Sequence, residues 1–189
     1  MWALFGWSCL VVFPLLVGCE QTTSKRVQSQ PKTQAASLLE PAQLNAALAA
    51  VFADLPKPIR VLRVRATPSY VSAQVQNAQV RTQVDEYRYT TQSGRTGPVQ
   101  VRLLGKGKLR DNLFPLNAID LRRSTRVISG VQEQYGLPIR KLVITRNLPR
   151  SMDIQFRAHL GSREDELVVA ASKRGRILGP VESVPAPSP

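Results

Sequence analysis

The sequence predicts an α+β domain of two tandem helix-plus-sheet units, which form one antiparallel sheet with the helices on one face. Three observations lead to this prediction. Apolar residues recur at helical spacing in two segments. Short segments that alternate apolar and polar residues follow each of them. The order of these segments repeats after about 80 residues. Alternation of this kind indicates strands with one buried and one solvated face, as antiparallel sheets have.

The N-terminal segment has a different composition from the rest. No residue from Trp2 to Val17 is charged, and the run is shorter than the roughly 20 apolar residues of a membrane span. It is typical of the apolar region of a secretory signal peptide. The Leu-Val-Gly-Cys stretch at 16–19 resembles the lipobox of bacterial lipoproteins. That resemblance implies a signal peptide over 1–18 and a lipid attached to Cys19.

A lipid on Cys19 predicts an exported protein anchored in the cell envelope. Glu20 is the next residue, and by the same resemblance the absence of Asp there favours the periplasmic face of the outer membrane in a Gram-negative source. The first seven residues contain no Lys or Arg, so the alternative is an uncleaved anchor with an incidental cysteine. Residues 19–37 are polar enough to predict a lipidated, disordered tether.

The charge balance limits the class of partner. The chain has 26 basic and 13 acidic side chains and a formal net charge of +13. A basic chain often binds nucleic acid, but export leaves anionic lipids, wall polymers and acidic proteins as the available polyanions. Cys9 leaves with the signal peptide, so Cys19 is the last thiol. We therefore predict no nucleic acid, no small-molecule substrate, no cofactor and no metal.

The first unit is predicted over 38–104. It begins with a helix that has Pro41 in its first turn and that Pro56 and Pro58 terminate. The apolar stripe of this helix is Leu44, Leu48, Val51, Phe52 and Leu55. Four alternating segments follow as strands: 60–66, 70–76, 84–90 and 98–103. The first of these places Leu62, Val64 and Ala66 on its buried face.

The second unit is predicted over 115–181, after a connecting loop over 105–114. Asn117 is placed to cap its helix, and Gly136 to follow the last residue. The stripe of this helix is Leu121, Ile128, Val131 and Tyr135. A strand over 152–159 places Met152, Ile154, Phe156 and Ala158 on the buried face. Residues 182–189 lack any core pattern and predict a loose tail.

The repeat itself is seen in the sequence. Pro58-Ile-Arg recurs as Pro138-Ile-Arg, and Asp85-Glu86 recurs as Asp165-Glu166, each 80 residues later. Gly97-Pro-Val recurs as Gly179-Pro-Val after 82 residues. These identities favour a tandem duplication, and chance alignment is the alternative.

The residues give no catalytic constellation. His159 is the only histidine, and alternation predicts it on the solvated face of a strand. Asp85 and Glu86, like Asp165 and Glu166, point to opposite faces of a strand and cannot act as a pair. We expect each glutamate to pair with a cross-strand arginine instead. The chain is therefore predicted not to be an enzyme.

The candidate site is the solvated face of the sheet, which alternation makes basic. Its predicted partner-binding residues are Arg63, Arg65, Arg88, Arg102, Lys141 and Arg157. Its main apolar residues are predicted to be Val61, Val143 and Val168. A basic helix face at Arg122, Arg123 and Arg126 is the second candidate.

Tandem units of one helix and four strands resemble the β-lactamase inhibitor protein architecture, and each unit is broadly similar to PepSY-type domains. This resemblance rests on the pattern over 38–181 and implies a non-enzymatic module that holds a protein on a sheet face. We expect a membrane-anchored lipoprotein that binds an envelope partner, an acidic protein or an anionic polymer. The alternative is a structural lipoprotein whose basic surface adheres to anionic lipid or wall polymer.

Overall fold

A computed structural model describes residues 37–104, 107–147, 151–162 and 165–181, all within one compact unit, Ala35–Pro189. Its helices are α1 Pro41–Phe52, α2 Leu109–Asn112 and α3 Arg123–Tyr135. Its strands are β1 Arg60–Ala66, β2 Val71–Gln76, β3 Val84–Thr90, β4 Gly94–Gln100, β5 Phe114–Pro115, β6 Ile139–Arg146, β7 Ile154–Gly161, β8 Glu166–Ser172 and β9 Ile177–Pro180. No helix of this part of the chain is long and apolar enough to cross a membrane.

Several predicted segments lie outside the described residues. These are the signal peptide over 1–18, the lipid attachment site Cys19, the tether except its last residue, and the tail over 182–189.

The described strands form a single antiparallel sheet. Its order is β4-β3-β2-β1-β6-β7-β8-β9, and β5 pairs with β1 at the side. The first strands of the two predicted units, β1 and β6, meet at the centre, where Arg65 lies opposite Val143. Each unit then continues outward strand by strand to its own edge. The predicted α+β class with one antiparallel sheet is confirmed.

The two long helices cover one side of the sheet. α1 contacts β2 and β3, α3 contacts β6 and β7, and the two helices touch each other. Leu44 and Val51 of α1 share one core with Val131 of α3 and with Phe156 of β7. Cross-strand pairing places Val64, Ile144, Phe156 and Ala171 in one continuous buried row. Burial of these apolar faces against one another is what joins the two halves into one domain.

The predicted first helix is confirmed, but it ends at Phe52, before Leu55. Pro41 occupies its first turn, where a missing N–H has no structural cost. The predicted end of the second helix is also confirmed, because Gly136 has φ 65 and its N–H donates to the carbonyl of Gln132. Glycine adopts this left-handed conformation without the Cβ clash of other residues.

A β-bulge in β1 overturns one part of the predicted face pattern. Regular pairing with β2 breaks between Val61 and Arg63, and the extra residue shifts the alternation by one position. Val61 is therefore fully buried in the core, and Leu62 is only partly buried. The prediction that Val61 belongs to the solvated face was wrong for this reason.

The fourth strand lies earlier in the sequence than predicted. β4 spans Gly94–Gln100, and all of its residues but the first are exposed. Val99 is 65% exposed and Leu103 is 41% exposed, although alternation had placed both on a buried face. β4 is an edge strand beyond the reach of α3 and only lightly contacted by α1, so an apolar residue there finds little to pack against.

The second helix starts later than predicted. α3 begins at Arg123, and Asn117 lies in a short 3-10 turn, Leu116–Ala118. Asp120 fixes the entry to the helix, because its carboxylate accepts a hydrogen bond from the backbone N–H of Arg122 at 3.1 Å. Met152 was also misplaced. It lies before β7 with φ 58 and is 46% exposed.

Candidate functional site

The side of the sheet opposite the helices is named here the open face. Cross-strand pairs define it, because paired residues point to the same side of the sheet. Five of the six predicted binding residues lie on it: Arg63, Arg65, Arg88, Lys141 and Arg157. Arg102 does not, because it follows β4 in an exposed segment without a strand.

Three arginines form a row across the open face. Arg88 of β3 lies opposite Ser72, Ser72 lies opposite Arg65 of β1, Arg65 opposite Val143, and Val143 opposite Arg157 of β7. We call Arg88, Arg65 and Arg157 the arginine row. They occupy alternate strands, so their Cα atoms are spaced by two strand separations, about 9–10 Å. Each small residue between them leaves room for the neighbouring guanidinium groups.

The small residues of this row are buried although no helix covers them. Ser72 is 5% exposed, Val143 is 9% exposed, and Ala170, opposite Arg157, is 7% exposed. Long arginine side chains cover apolar surface with their methylene groups while the charged end stays accessible. We infer that the methylene groups of the arginines cover these small residues.

Tyr70 contacts two arginines at one end of the arginine row. Its ring lies under the guanidinium of Arg88, 4.7 Å from the ring centroid, and its hydroxyl accepts a hydrogen bond from Arg65 Nη1 at 3.5 Å. A cation over an aromatic ring is held by the ring quadrupole as well as by packing. At the other end, Arg157 Nη2 donates to Asn147 Oδ1 at 3.2 Å.

The charge of the open face is only partly neutralised. Glu86 accepts hydrogen bonds from Arg88 at 3.0 Å and from Gln74 at 3.1 Å. Within the described ranges, Arg63, Arg65 and Arg157 form no ion pair. Burial, and then the neighbouring Arg65 guanidinium, lower the pKa of Arg63, and Glu86 opposes them. This crowding of like charges favours any anion that approaches the middle of the face.

Two N–H groups in the row have no protein partner. The Nε groups of Arg65 and Arg157 are buried and unpaired within the described part of the chain. Buried donors are usually satisfied by protein or by ordered water. An incoming ligand can reach these two Nε groups only if the arginine side chains move, so binding would depend on the accessible ends of the guanidinium groups.

Lys141 lies in a different electrostatic setting from the row. Glu166 lies close to three side chains: His159 Nδ1 at 3.2 Å, and the cationic groups Arg140 Nη1 at 3.4 Å and Lys141 Nζ at 3.7 Å. Burial opposes ionisation of Glu166, but His159, Lys141 and Arg140 outweigh it and lower its pKa. Lys141 is thus already paired, and it is a weaker candidate for partner binding than the arginines.

His159 is not the solvated histidine that alternation suggested. Its side chain is 15% exposed, because Lys141 and Glu166 flank it. Burial first, and then the Lys141 charge, lower the pKa of His159, while Glu166 opposes them. Burial and the Lys141 charge thus favour the neutral form of the ring, which packs beside Glu166.

The expected opposite-face arrangement is confirmed for Asp85 and Glu86, whereas Asp165 precedes β8 and belongs to no strand face. Asp85 is buried on the helix side, where it accepts a hydrogen bond from Asn77 Nδ2 at 2.7 Å, and Glu86 lies on the open face. The expected cross-strand arginine is found for Glu166 with Arg140. Glu86 instead pairs with Arg88 of its own strand, two residues away.

Sequence reasoning missed Tyr70, Asn147 and Arg140 as parts of the site. Tyr70 had a usable signal, since residues 70, 72 and 74 share one face under the alternation already predicted for 70–76. The sequence contained no comparable signal for Asn147 or Arg140. Asn147 lies in the loop after β6, and Arg140 lies in a second bulge, between Ile139 and Lys141.

The second candidate surface, the basic helix face at Arg122, Arg123 and Arg126, is partly neutralised near the N-terminus of α3. Asp120 pairs with Arg122 at 3.1 Å and with Arg123 at 3.7 Å, and the Arg122 guanidinium, as the largest cause, lowers the pKa of Asp120.

The residues that the structure describes bring no three His, Cys, Asp or Glu side chains together as a metal site. No protein-family model, curated protein or solved structure matches the chain.

Proposed function

We propose that the chain is an exported lipoprotein, anchored through a lipid on Cys19, that holds an acidic protein of the cell envelope against its open face. It acts as a binding module and not as an enzyme. The observation that supports this most is the arginine row: three arginines on alternate strands of one face, two of them without an ion pair in the described residues. Arginine is enriched among the residues that dominate binding energy at protein interfaces.

The geometry of the row favours a protein partner over a diffuse polyanion. The arginines rest on buried small residues and are positioned by Tyr70 and Asn147. Side chains that are already ordered lose less conformational entropy on binding. A shaped acidic surface can use that order, whereas a flexible polymer gains mainly from net charge.

Salt distinguishes the proposal from the alternative, a structural lipoprotein that adheres to anionic lipid or wall polymer. The full chain is used as bait on crosslinked cell envelope, and on purified lipid and wall polymer, at low and at high salt. The Debye length falls from about 10 Å at 0.1 M to about 3 Å at 1 M salt, so adhesion by charge alone should disappear. We expect one protein to be retained at high salt. Retention of polymer or lipid alone, lost at high salt, would support the alternative.

We also infer that the domain arose by tandem duplication of one helix and four strands, with α1-β1-β2-β3-β4 corresponding to α3-β6-β7-β8-β9. The strand order from the centre to the edge is the same in both halves. The central strand of each half also contains a bulge, after Val61 in β1 and after Ile139 in β6, although at a lag of 80 residues the second bulge lies two positions earlier. Gly97 and Gly179 in the two edge strands both have φ 107.

The anchor is tested at Cys19. The wild-type chain should partition into detergent and should carry an acylated Cys19, while Cys19→Ala should accumulate as an unprocessed precursor. Mass spectrometry of the N-terminus measures both. The mature wild type should lack Trp2 and Trp7, and their presence would contradict cleavage after Gly18.

A further inference from the structure

A second basic site lies on the helix side of the sheet, beyond the end of α1. α1 stops at Phe52, and Pro56 and Pro58 prevent the chain from continuing as a helix over the far ends of β2 and β3. The inner face there is left open as a cleft of about 1140 Å³. Its floor includes the cross-strand pair Val75 and Asp85. We name this space the basic cleft.

Cations converge on the basic cleft from four separate segments. They are Lys57 after α1, Arg60 in β1, Arg81 in the turn between β2 and β3, and Lys108 and Arg110 around α2. Arg110 pairs with the exposed Asp111 at 3.4 Å. Within the part of the chain that the structure describes, the other four form no ion pair. One acidic side chain, Asp85, lines the cleft.

Asp85 forms no ion pair with these cations among the described residues, and its side chain instead belongs to the framework of the cleft. It is 7% exposed and accepts the hydrogen bond from Asn77 Nδ2 at 2.7 Å. The Oδ1 atom of Asn77 accepts hydrogen bonds from the backbone N–H groups of Gln79 and Val80, each at 2.8 Å. Asn77 thus uses both ends of its amide to fix the turn that carries Arg81. The wall of the cleft is therefore held in place before any ligand arrives.

The other walls of the basic cleft are apolar. Leu55, Pro56, Pro58, Pro98 and Leu109 contribute to them. Ligand clefts commonly measure about 300–1,000 Å³ and combine apolar walls with a few polar groups that fix orientation. The volume here is more than a single phosphate or carboxylate needs. The cationic rim and the apolar walls together fit a ligand with an anionic head and an apolar chain.

We infer that the basic cleft binds an anionic amphiphile, a phosphate or carboxylate group attached to an apolar chain. Lys57, Arg60 and Arg81 hold the head by charge-assisted hydrogen bonds, and the proline and leucine side chains cover the apolar chain. The site is independent of the open face, because it lies on the other side of the sheet.

The first experiment compares three ligands. The full chain is placed in phosphatidylcholine nanodiscs, and its unfolding midpoint is measured with hexyl phosphate, inorganic phosphate or hexyl glucoside. A ligand that binds only the folded state raises the midpoint. Hexyl phosphate should raise it at a concentration at which the other two have no effect. Absence of a shift with hexyl phosphate would overturn the site, and equal shifts with inorganic phosphate would overturn the assignment to an amphiphile.

Charge-removing variants locate the binding. Lys57→Gln with Arg81→Gln should weaken hexyl phosphate binding by roughly tenfold or more, since charged hydrogen bonds are lost. Lys173→Gln with Arg174→Gln removes the same two charges from the exposed turn between β8 and β9, and it should bind as the wild type does. Equal weakening by the two pairs would mean that net charge alone matters and would refute the cleft as the site.

A change of lipid identifies the source of the amphiphile. In phosphatidylglycerol nanodiscs, a bilayer lipid that occupies the basic cleft should reduce the response to hexyl phosphate. An unchanged response assigns the cleft to a free amphiphile. Either result supports the cleft, provided that the response in phosphatidylcholine depends on Lys57 and Arg81.

Discussion

Phe156→Ala should lower the free energy of unfolding by about 3–5 kcal/mol, the usual cost of truncating a buried phenylalanine. The ring is fully buried and lies between Ile144 and Ala171 in the core row. α3 closes over β7 from the helix side, so the surrounding residues cannot collapse into the space. Total stabilities of domains are about 5–15 kcal/mol, and this one change should remove a large part. Urea denaturation followed by far-UV circular dichroism measures the effect.

Two further measurements make this prediction specific. Gln155→Ala, at the neighbouring position on the open face, should change stability by no more than about 0.5 kcal/mol. Hydrogen exchange should report weakened protection in β1 and β2 as well as in β7, because β1 and β6 pair at the centre and all belong to one core. Loss of protection limited to the second half would contradict a single cooperative domain.

The sequence was informative where burial on one side of an element is strong. The stripe of α1 and the alternation of β2, β3 and β7 come from apolar groups that must face one core. The predictions of β1 and β3 agree with the observed bounds, Arg60–Ala66 and Val84–Thr90. The α+β class follows from these elements, because alternating strands need helices to cover their apolar side.

Prediction failed where the backbone departs from a regular period. The bulge after Val61 moves that residue into the core, and no property of the side chains around it requires a bulge. The prediction of the fourth strand failed for another reason, because the apolar residues of 98–103 alternate as in a buried strand although the edge of the sheet leaves Val99 exposed. Alternation reports the faces of a strand, but it does not report whether anything covers them.

The candidate site was predicted in outline but not in its energetics. Alternation placed Arg63, Arg65, Arg88 and Arg157 on one face, where the structure brings them together. It could not distinguish these residues from Lys141, which lies 3.7 Å from Glu166 in an ion pair that Glu166 shares with Arg140. That distinction depends on contacts between β6 and β8 across β7, which only the folded sheet creates.

Arg63→Glu with Arg88→Glu should abolish capture of the envelope partner while the domain stays folded. Arg63 and Arg88 are more exposed than Arg65 and Arg157, although Arg63 is half-buried at its charged end, so reversal at these two positions disturbs the packing least. Arginine hot spots contribute about 2 kcal/mol or more each. Loss of two, with repulsion added, should reduce affinity by roughly a hundredfold or more. The yield of crosslinked partner and its dissociation constant are the measurements.

A matched variant separates position from charge. Arg122→Glu with Arg126→Glu makes the same change in net charge on α3, away from the open face, and it should capture the partner at the wild-type yield. Both variants should unfold within about 1 kcal/mol of the wild type, because exposed ion pairs such as Arg88 with Glu86 contribute little. If the α3 variant loses the partner and the open-face variant keeps it, the basic helix face is the binding site. If both variants lose the partner equally, and the wild type also loses it at high salt, the interaction depends on overall charge. The alternative of polyanion adhesion then explains the binding better.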